Sequence, residues 1–207
     1  MIETLLNIDP LVMGAFVLAG LLLNITPGAD FLFVTASGIN GGPRVGRAAA
    51  VGINLGILVH IAMAALGVSA LLIAYPAAFT AIKWIGAVYL LYIAYKAWTD
   101  KDELGEGQAA PDAMTAIKRG FWTNVLNPKT ALFIFAFIPQ FTDPNIGPIW
   151  HQIVIFGLVF QINGFLFVLA LGTLAGHLGP LLRGHIRILN RLTAILFGGL
   201  AARLVIE

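Results

Sequence analysis

The chain has 207 residues, 59% of them hydrophobic and 11% charged, with mean hydropathy +0.90 and a formal net charge of +2. A soluble domain carries roughly 25% charged residues, so this composition excludes a soluble globular protein and fits a polytopic membrane protein. The small charge says nothing about nucleic acid, but there is no basic cluster interleaved with aromatics, and no nucleic-acid partner is expected. The absence of cysteine excludes disulfides, iron–sulfur clusters and thiolate metal sites.

In chain order, residues 1–10 contain Glu3 and Asp9 but no Lys or Arg. A signal peptide needs a positive n-region, so the first apolar run is expected to be retained as a span. That run is Leu11–Ile39, and Asp30 is its sole charged residue. Within it, Thr26-Pro27-Gly28-Ala29-Asp30 reads as a helix start. Thr26 is expected to cap it, and Pro27 suits the first helical position. The same proline would break a helix arriving from Leu11–Asn24. Broken helices at membrane depth are tolerated where protein or a water-filled cavity satisfies the freed backbone, and an acid there is a functional candidate.

The second run is Gly46–Ala74, uncharged beyond Arg47, and the third is Phe79–Trp98. Trp84, Tyr89, Tyr92, Tyr95 and Trp98 on the third read as lipid packing and interface anchors. A polar linker, 99–115, carries Asp100, Lys101, Asp102, Glu103, Glu106 and Asp112 and reads as a solvated loop. The fourth run, Ala116–Phe141, repeats the device of the first. Asn127 is a cap, Pro128 takes the first helical position, and Lys129 is the one charge between Gly120 and Phe141. The fifth run is Ile149–Gly176 and the sixth Ile188–Ile206.

The expected fold is therefore an all-α integral membrane protein of six transmembrane helices. The linker separates two three-helix repeats, 1–98 and 116–207. Three spans per half means that the second repeat is inverted, with spans 1 and 4 broken at Pro27 and Pro128. Interrupted segments at matching places in two halves point to a transporter site; the alternative is that both prolines merely kink packed helices. Arg44, Arg47, Lys96, Lys101, Lys118, Arg119, Arg183, Arg187 and Arg191 follow odd-numbered spans, against Lys83 and Arg203 on the other side. By the positive-inside rule the odd loops are cytoplasmic and both termini are not. Gly52-x-x-x-Gly56 and Gly172-x-x-x-Gly176 allow close helix approach, within one subunit or, alternatively, across a homodimer interface.

Chemistry must come from polar groups in the membrane. The free N–H groups of the half-helices after Pro27 and Pro128 suit a carboxylate. Lys129 adds a positive charge where the helix dipole disfavours one, a conflict that a substrate carboxylate would relieve. Asp30 is placed to accept a substrate ammonium group or a proton. Together they match a zwitterion, although a structural ion pair joining the halves is the alternative. Asn54 and Asn163 read first as interhelical hydrogen-bond formers and second as ligand contacts, with Gln140 and Gln161 behind them. His60 reads as a hydrogen-bonded core residue. No second acid is available for general acid–base chemistry or for the oxygen ligands of a hard cation. A membrane enzyme and a metal exporter are the alternative functions; no cofactor or metal is expected.

Pro27-Gly28-Ala29-Asp30-Phe31, the Gly38–Gly56 stretch that follows, and Gly120-Phe121-x-x-Asn124-x-x-Asn127-Pro128-Lys129 resemble the lysine exporter family, in its homoserine/threonine resistance branch. The resemblance covers nearly the whole chain, and the two motifs together are fairly specific. It implies a multi-pass bacterial inner-membrane permease exporting amino acids, neutral ones such as threonine, homoserine or leucine before basic ones, and driven by protons. The family's first motif usually reads Pro-Gly-Pro-Asp; here Ala29 replaces the second proline. The candidate substrate-binding set is Thr26, Pro27, Gly28, Asp30, Asn54, Asn127, Pro128, Lys129 and Asn163, with Asp30 also the proton carrier.

Overall fold

A short helix, α1 (Ile2–Leu6), precedes α2 (Pro10–Ile25). Asp9 starts α2 by accepting the Leu11 amide at 2.7 Å, with Pro10 at the first position, where a missing N–H costs nothing. The computed structural model describes residues 1–68 and 112–183, with Trp84, Val88, Leu91, Tyr92, Tyr95 and Ile195 as single positions. The expected third and sixth spans and most of the 99–115 linker lie outside the described residues. Trp84, Tyr92 and Tyr95 are more than half exposed, as side chains turned to lipid would be.

The first break falls where expected but is built differently. Thr26 does not cap the next helix; it ends α2, with φ −62° and ψ 122°. The residue before a proline is driven out of the helical region. Its hydroxyl donates backward to the Leu22 carbonyl at 2.8 Å. Gly28 is extended as well, so α3 (Ala29–Met63) begins two residues later than Pro27.

Helix α3 is traced through a corner at Gly42, where φ is 74°, a left-handed conformation that glycine adopts without steric cost. The chain doubles back there. A methyl group at Gly38 would lie 2.6 Å from the Gly172 carbonyl oxygen, and one at Gly46 would press on the same atom. Positions eight residues apart on a straight helix are roughly 12 Å apart. The expected boundary between the first two spans, after Ile39 and before Gly46, is thus a real corner. A π-helical turn, Ala64–Val68, follows.

After the linker, Asp112 caps α4 (Ala113–Val125) by accepting the Thr115 amide at 2.9 Å. Asn127 caps α5 (Pro128–Leu132), its Oδ1 accepting the Lys129 amide at 3.0 Å. The pass continues as a π turn, Phe133–Phe137, and a 3₁₀ turn, Ile138–Phe141. Helix α6 (Ile149–Arg183) is irregular at Leu178. No strand occurs among the described residues. By length and hydropathy alone, two stretches among them can cross a bilayer, Ala29–Gly67 and Ile149–Leu178, while Pro10–Ile25 and Lys129–Phe141 are shorter apolar helices.

Glycine contacts give the directions. Gly20 meets Phe160, Gly164 meets Asn24, and Gly38 meets Gly172. Residues 10–41 therefore run along α6 in the same sense, as one broken pass. Gly176 meets Pro43 and Gly157 meets Ile61, so residues 43–63 run the opposite way. Helix α4 is parallel to that return leg, with Gly120 against Ala49 and Gly56 against Asn124. The two broken passes are antiparallel to each other. Gly52, Gly56, Gly172 and Gly176 all meet helices of this same chain, which is the within-subunit use of their spacing. An aromatic cluster packs α2, the π turn and α6 together: Phe16 lies 4.8 Å from Phe156 and Phe133 lies 4.7 Å from Phe160, centroid to centroid.

Candidate functional site

Both breaks place a charge at the same point. Gly28 is the cap residue of α3 and Asn127 that of α5, so Asp30 and Lys129 are each the second residue of a new helix. Both line one cavity of about 30 Å³, together with Leu23, Asn24, Asn127 and Thr130.

Each charge is held by the other break. Asp30 Oδ2 accepts the Asn124 side-chain amide at 2.7 Å and the Thr130 hydroxyl at 3.1 Å. Asn124 is the next-to-last residue of α4 and Thr130 belongs to α5, so the first break's acid is anchored on both sides of the second break. Lys129 reaches the other way. Its ammonium donates to the Leu23 carbonyl at 3.0 Å and the Thr26 carbonyl at 2.8 Å. These sit at the end of α2, where the dipole favours a cation; the Leu23 carbonyl also takes the Thr26 amide at 3.2 Å. The conflict expected for Lys129 at its own helix start is therefore relieved inside the protein.

The stem of Lys129 crosses Gly28, where a methyl group would lie 3.2 Å from Lys129 Cδ and 3.3 Å from Nζ. A side chain there would crowd the lysine stem, which would have to give by a few tenths of an ångström. Behind Asn124, the His60 Nε2 is 3.0 Å from the Asn124 backbone oxygen. With the ring N–H donating, this is a second bond to a carbonyl that already accepts the Asn127 amide at 2.8 Å. His60 is 2% exposed and stacks edge-on to Phe135, so it is a core residue that also steadies the break.

Several polar atoms around the cavity are buried without a hydrogen-bond partner: Asp30 Oδ1, Asn24 Nδ2 and Asn127 Nδ2. Unpaired polar groups in a low-dielectric interior are costly; here the Asn127 side chain lies beside the Asp30 carboxylate. Far more room is needed than is present. About 30 Å³ admits a water, whereas ligand pockets are typically about 300–1,000 Å³. As it stands, this cavity is too small for an amino acid.

Of the expected set, Thr26, Gly28, Asp30, Asn127 and Lys129 line the cavity, and Pro27 and Pro128 open the breaks beside it. Asn54 and Asn163 do not line it; their neighbours Ile53 and Gly164 do. Asn54 Oδ1 is buried without a partner. Gln140 is occupied by the Ala136 carbonyl at 2.6 Å. Asn124, Thr130 and Asn24 belong to the site without having been singled out for it. Asn124 and Thr130 flank the second proline motif, and a polar residue within one turn of a charged break is the signal that could have found them. Among the described residues no cluster of His, Cys, Asp or Glu could hold a metal ion.

The family model for LysE type translocators matches residues 21–207. Among curated proteins, a leucine efflux protein of Enterobacter sp. (strain 638) is 31% identical over 206 residues, covering 96% of this chain and 95% of that protein. A homoserine/homoserine lactone efflux protein of Salmonella typhi is 28% identical, covering 88% of this chain and 90% of that protein. An uncharacterized membrane protein of Vibrio cholerae serotype O1 is 29% identical, covering 90% of each. No solved structure matches the chain.

Proposed function

The chain belongs to the LysE type translocators, and from that premise we propose that it exports a neutral amino acid across the bacterial inner membrane in exchange for protons. The family consists of membrane-embedded transporters rather than enzymes, and related proteins are named for efflux of leucine and of homoserine. The observation that carries the proposal is the reciprocal hold of Asp30 and Lys129 across two antiparallel breaks. A zwitterion needs one acid and one cation, and both line this cavity. The rest of the cavity wall is apolar, with Phe31, Ile53, Ile57, Phe160 and Val168. Among the described lining residues Asp30 is the one acid, which favours a neutral side chain over a basic one.

The proposed mechanism is alternating access between two inverted halves, 1–98 and 116–207. Antiparallel broken passes support it, since inverted halves require that sense. In the closed form the Phe16, Phe133, Phe156 and Phe160 cluster fills the side of the break toward the N-terminus of α2. By the positive-inside reading that side faces away from the cytoplasm. Opening on the cytoplasmic side admits substrate, its carboxylate is drawn to the half-helix starts and Lys129, and the aromatic cluster then parts to release it outward. Asp30 takes an external proton and resets the carrier.

The test is flux into and out of liposomes containing the purified protein. Labelled leucine, threonine, homoserine, lysine and divalent cations would be compared under an imposed pH gradient. Proton-linked movement of one or more neutral amino acids, with no cation flux, is expected. Metal-ion flux in place of amino-acid flux would overturn the proposal.

A further inference from the structure

We propose that the Leu23 and Thr26 carbonyl pair is the seat of the substrate's ammonium group, and that Lys129 is its tethered occupant while the carrier is empty. This rests on the reading of the chain as an amino-acid exporter. The carbonyls belong to residues 3% and 1% exposed, at the end of a helix interrupted at membrane depth. Without a donor the Thr26 carbonyl would stand unsatisfied at membrane depth, where freed backbone groups are costly, and the Leu23 carbonyl would keep only the Thr26 amide at 3.2 Å. A primary ammonium is what now fills the place, at 3.0 and 2.8 Å. Helix-end carbonyls select such a group on two grounds, hydrogen bonding and dipole.

The substrate presents the same group. An α-ammonium arriving beside Asp30, the acid that lines this cavity, can take over the two carbonyls. Lys129 then leaves along the groove that Gly28 keeps open and is free to meet the substrate carboxylate. One ammonium replaces another, so the break is satisfied both empty and loaded. An exporter needs that equivalence, because the empty carrier must also cross between its two forms. The role differs from a fixed carboxylate ligand: Lys129 competes with the amine before it serves the acid.

The test uses the full chain in lipid nanodiscs. In Lys129→Ala the carbonyl pair loses its occupant. Propylammonium is then expected to raise the variant's melting temperature by about 2–4 °C. It should leave the wild type within about 1 °C, and propionate should shift neither. Equal effects of propylammonium on variant and wild type, or none on either, would overturn the proposal. A second measurement needs no variant. Wild-type binding of leucine is compared with 4-methylpentanoate, which lacks the amine, and 3-methylbutylammonium, which lacks the acid. The amine-free analogue is expected to bind at least about tenfold more weakly; binding equal to leucine's would overturn the proposal, and this comparison decides alone if Lys129→Ala cannot be recovered folded. If the wild type neither binds nor moves any amino acid, the proposed function falls, while the propylammonium result still decides whether the carbonyl pair is a cation seat.

Discussion

Asp30 uses one carboxylate oxygen and leaves the other bare: Oδ2 takes two hydrogen bonds from the far break, while Oδ1 is buried without any. The engaged oxygen orients the group; in the proposed function the other is where a substrate or a proton binds. Thr130→Val removes one of the two donors to a charged group, a change worth about 1.5–3 kcal/mol. It is expected to lower thermal stability by that order, with Thr130→Ser close to wild type. A Val variant as stable as wild type would show that the hydroxyl does not orient the acid. Asp30 and Lys129 were legible from sequence because each is a lone charge in an apolar run beside a proline. Asn124 and Thr130 were not, since a Thr or Asn in a membrane helix is common and hydropathy does not say which face it occupies. The destination of Lys129 was also hidden. Dipole reasoning on its own helix gives a conflict, and the resolution lies on a carbonyl about a hundred residues earlier in the chain.

At the scale of elements, the passes are held by backbone-to-backbone approach at glycines. The helix around Gly46 presses directly on the Gly172 backbone. Gly46→Val cannot be absorbed by a side-chain shift and is expected to cost at least about 3 kcal/mol, the upper range for overpacking, read as loss of folded protein in detergent. Gly14 of α2 has nothing within 4 Å of its missing side chain. Gly14→Ala should therefore be neutral or stabilise by roughly 0.5–1 kcal/mol through helix propensity. If both variants behaved alike, the packing role of the glycines would be wrong. The start of α4 titrates. Asp112, outside the membrane, is held below its ordinary value of 3.8 by the Thr115 amide and hydroxyl. Its capping contribution is present above that value and is lost as pH falls through the lower folded one. An NMR titration of the Thr115 amide should show a midpoint below 3.8; a midpoint at or above it would contradict the cap. Elements were read from sequence better than their ends. The break at Pro27 was legible, but Thr26 became the end of α2 instead of the start of α3, because Gly28 is extended and postpones the helix to Ala29, and the threonine hydroxyl donates back to Leu22. The corner at Gly42 was visible only as a charged gap between two apolar runs.

Across the whole molecule, two antiparallel broken passes meet at one small cavity and exchange their charges there. That single arrangement satisfies interrupted backbone at both breaks; in the proposed function it is also the zwitterion site and the point about which two halves rock. The measurement that bears on it most directly is leucine transport by wild type and Asp30→Asn in liposomes, scored separately for substrate exchange and for accumulation driven by a pH gradient. We expect the Asn variant to insert and to retain exchange while losing at least about tenfold in gradient-driven accumulation, the effect of removing a group that must carry a proton. Gradient-driven accumulation equal to wild type in that variant would contradict the assignment of Asp30 and, with it, the coupling of the two breaks to protons.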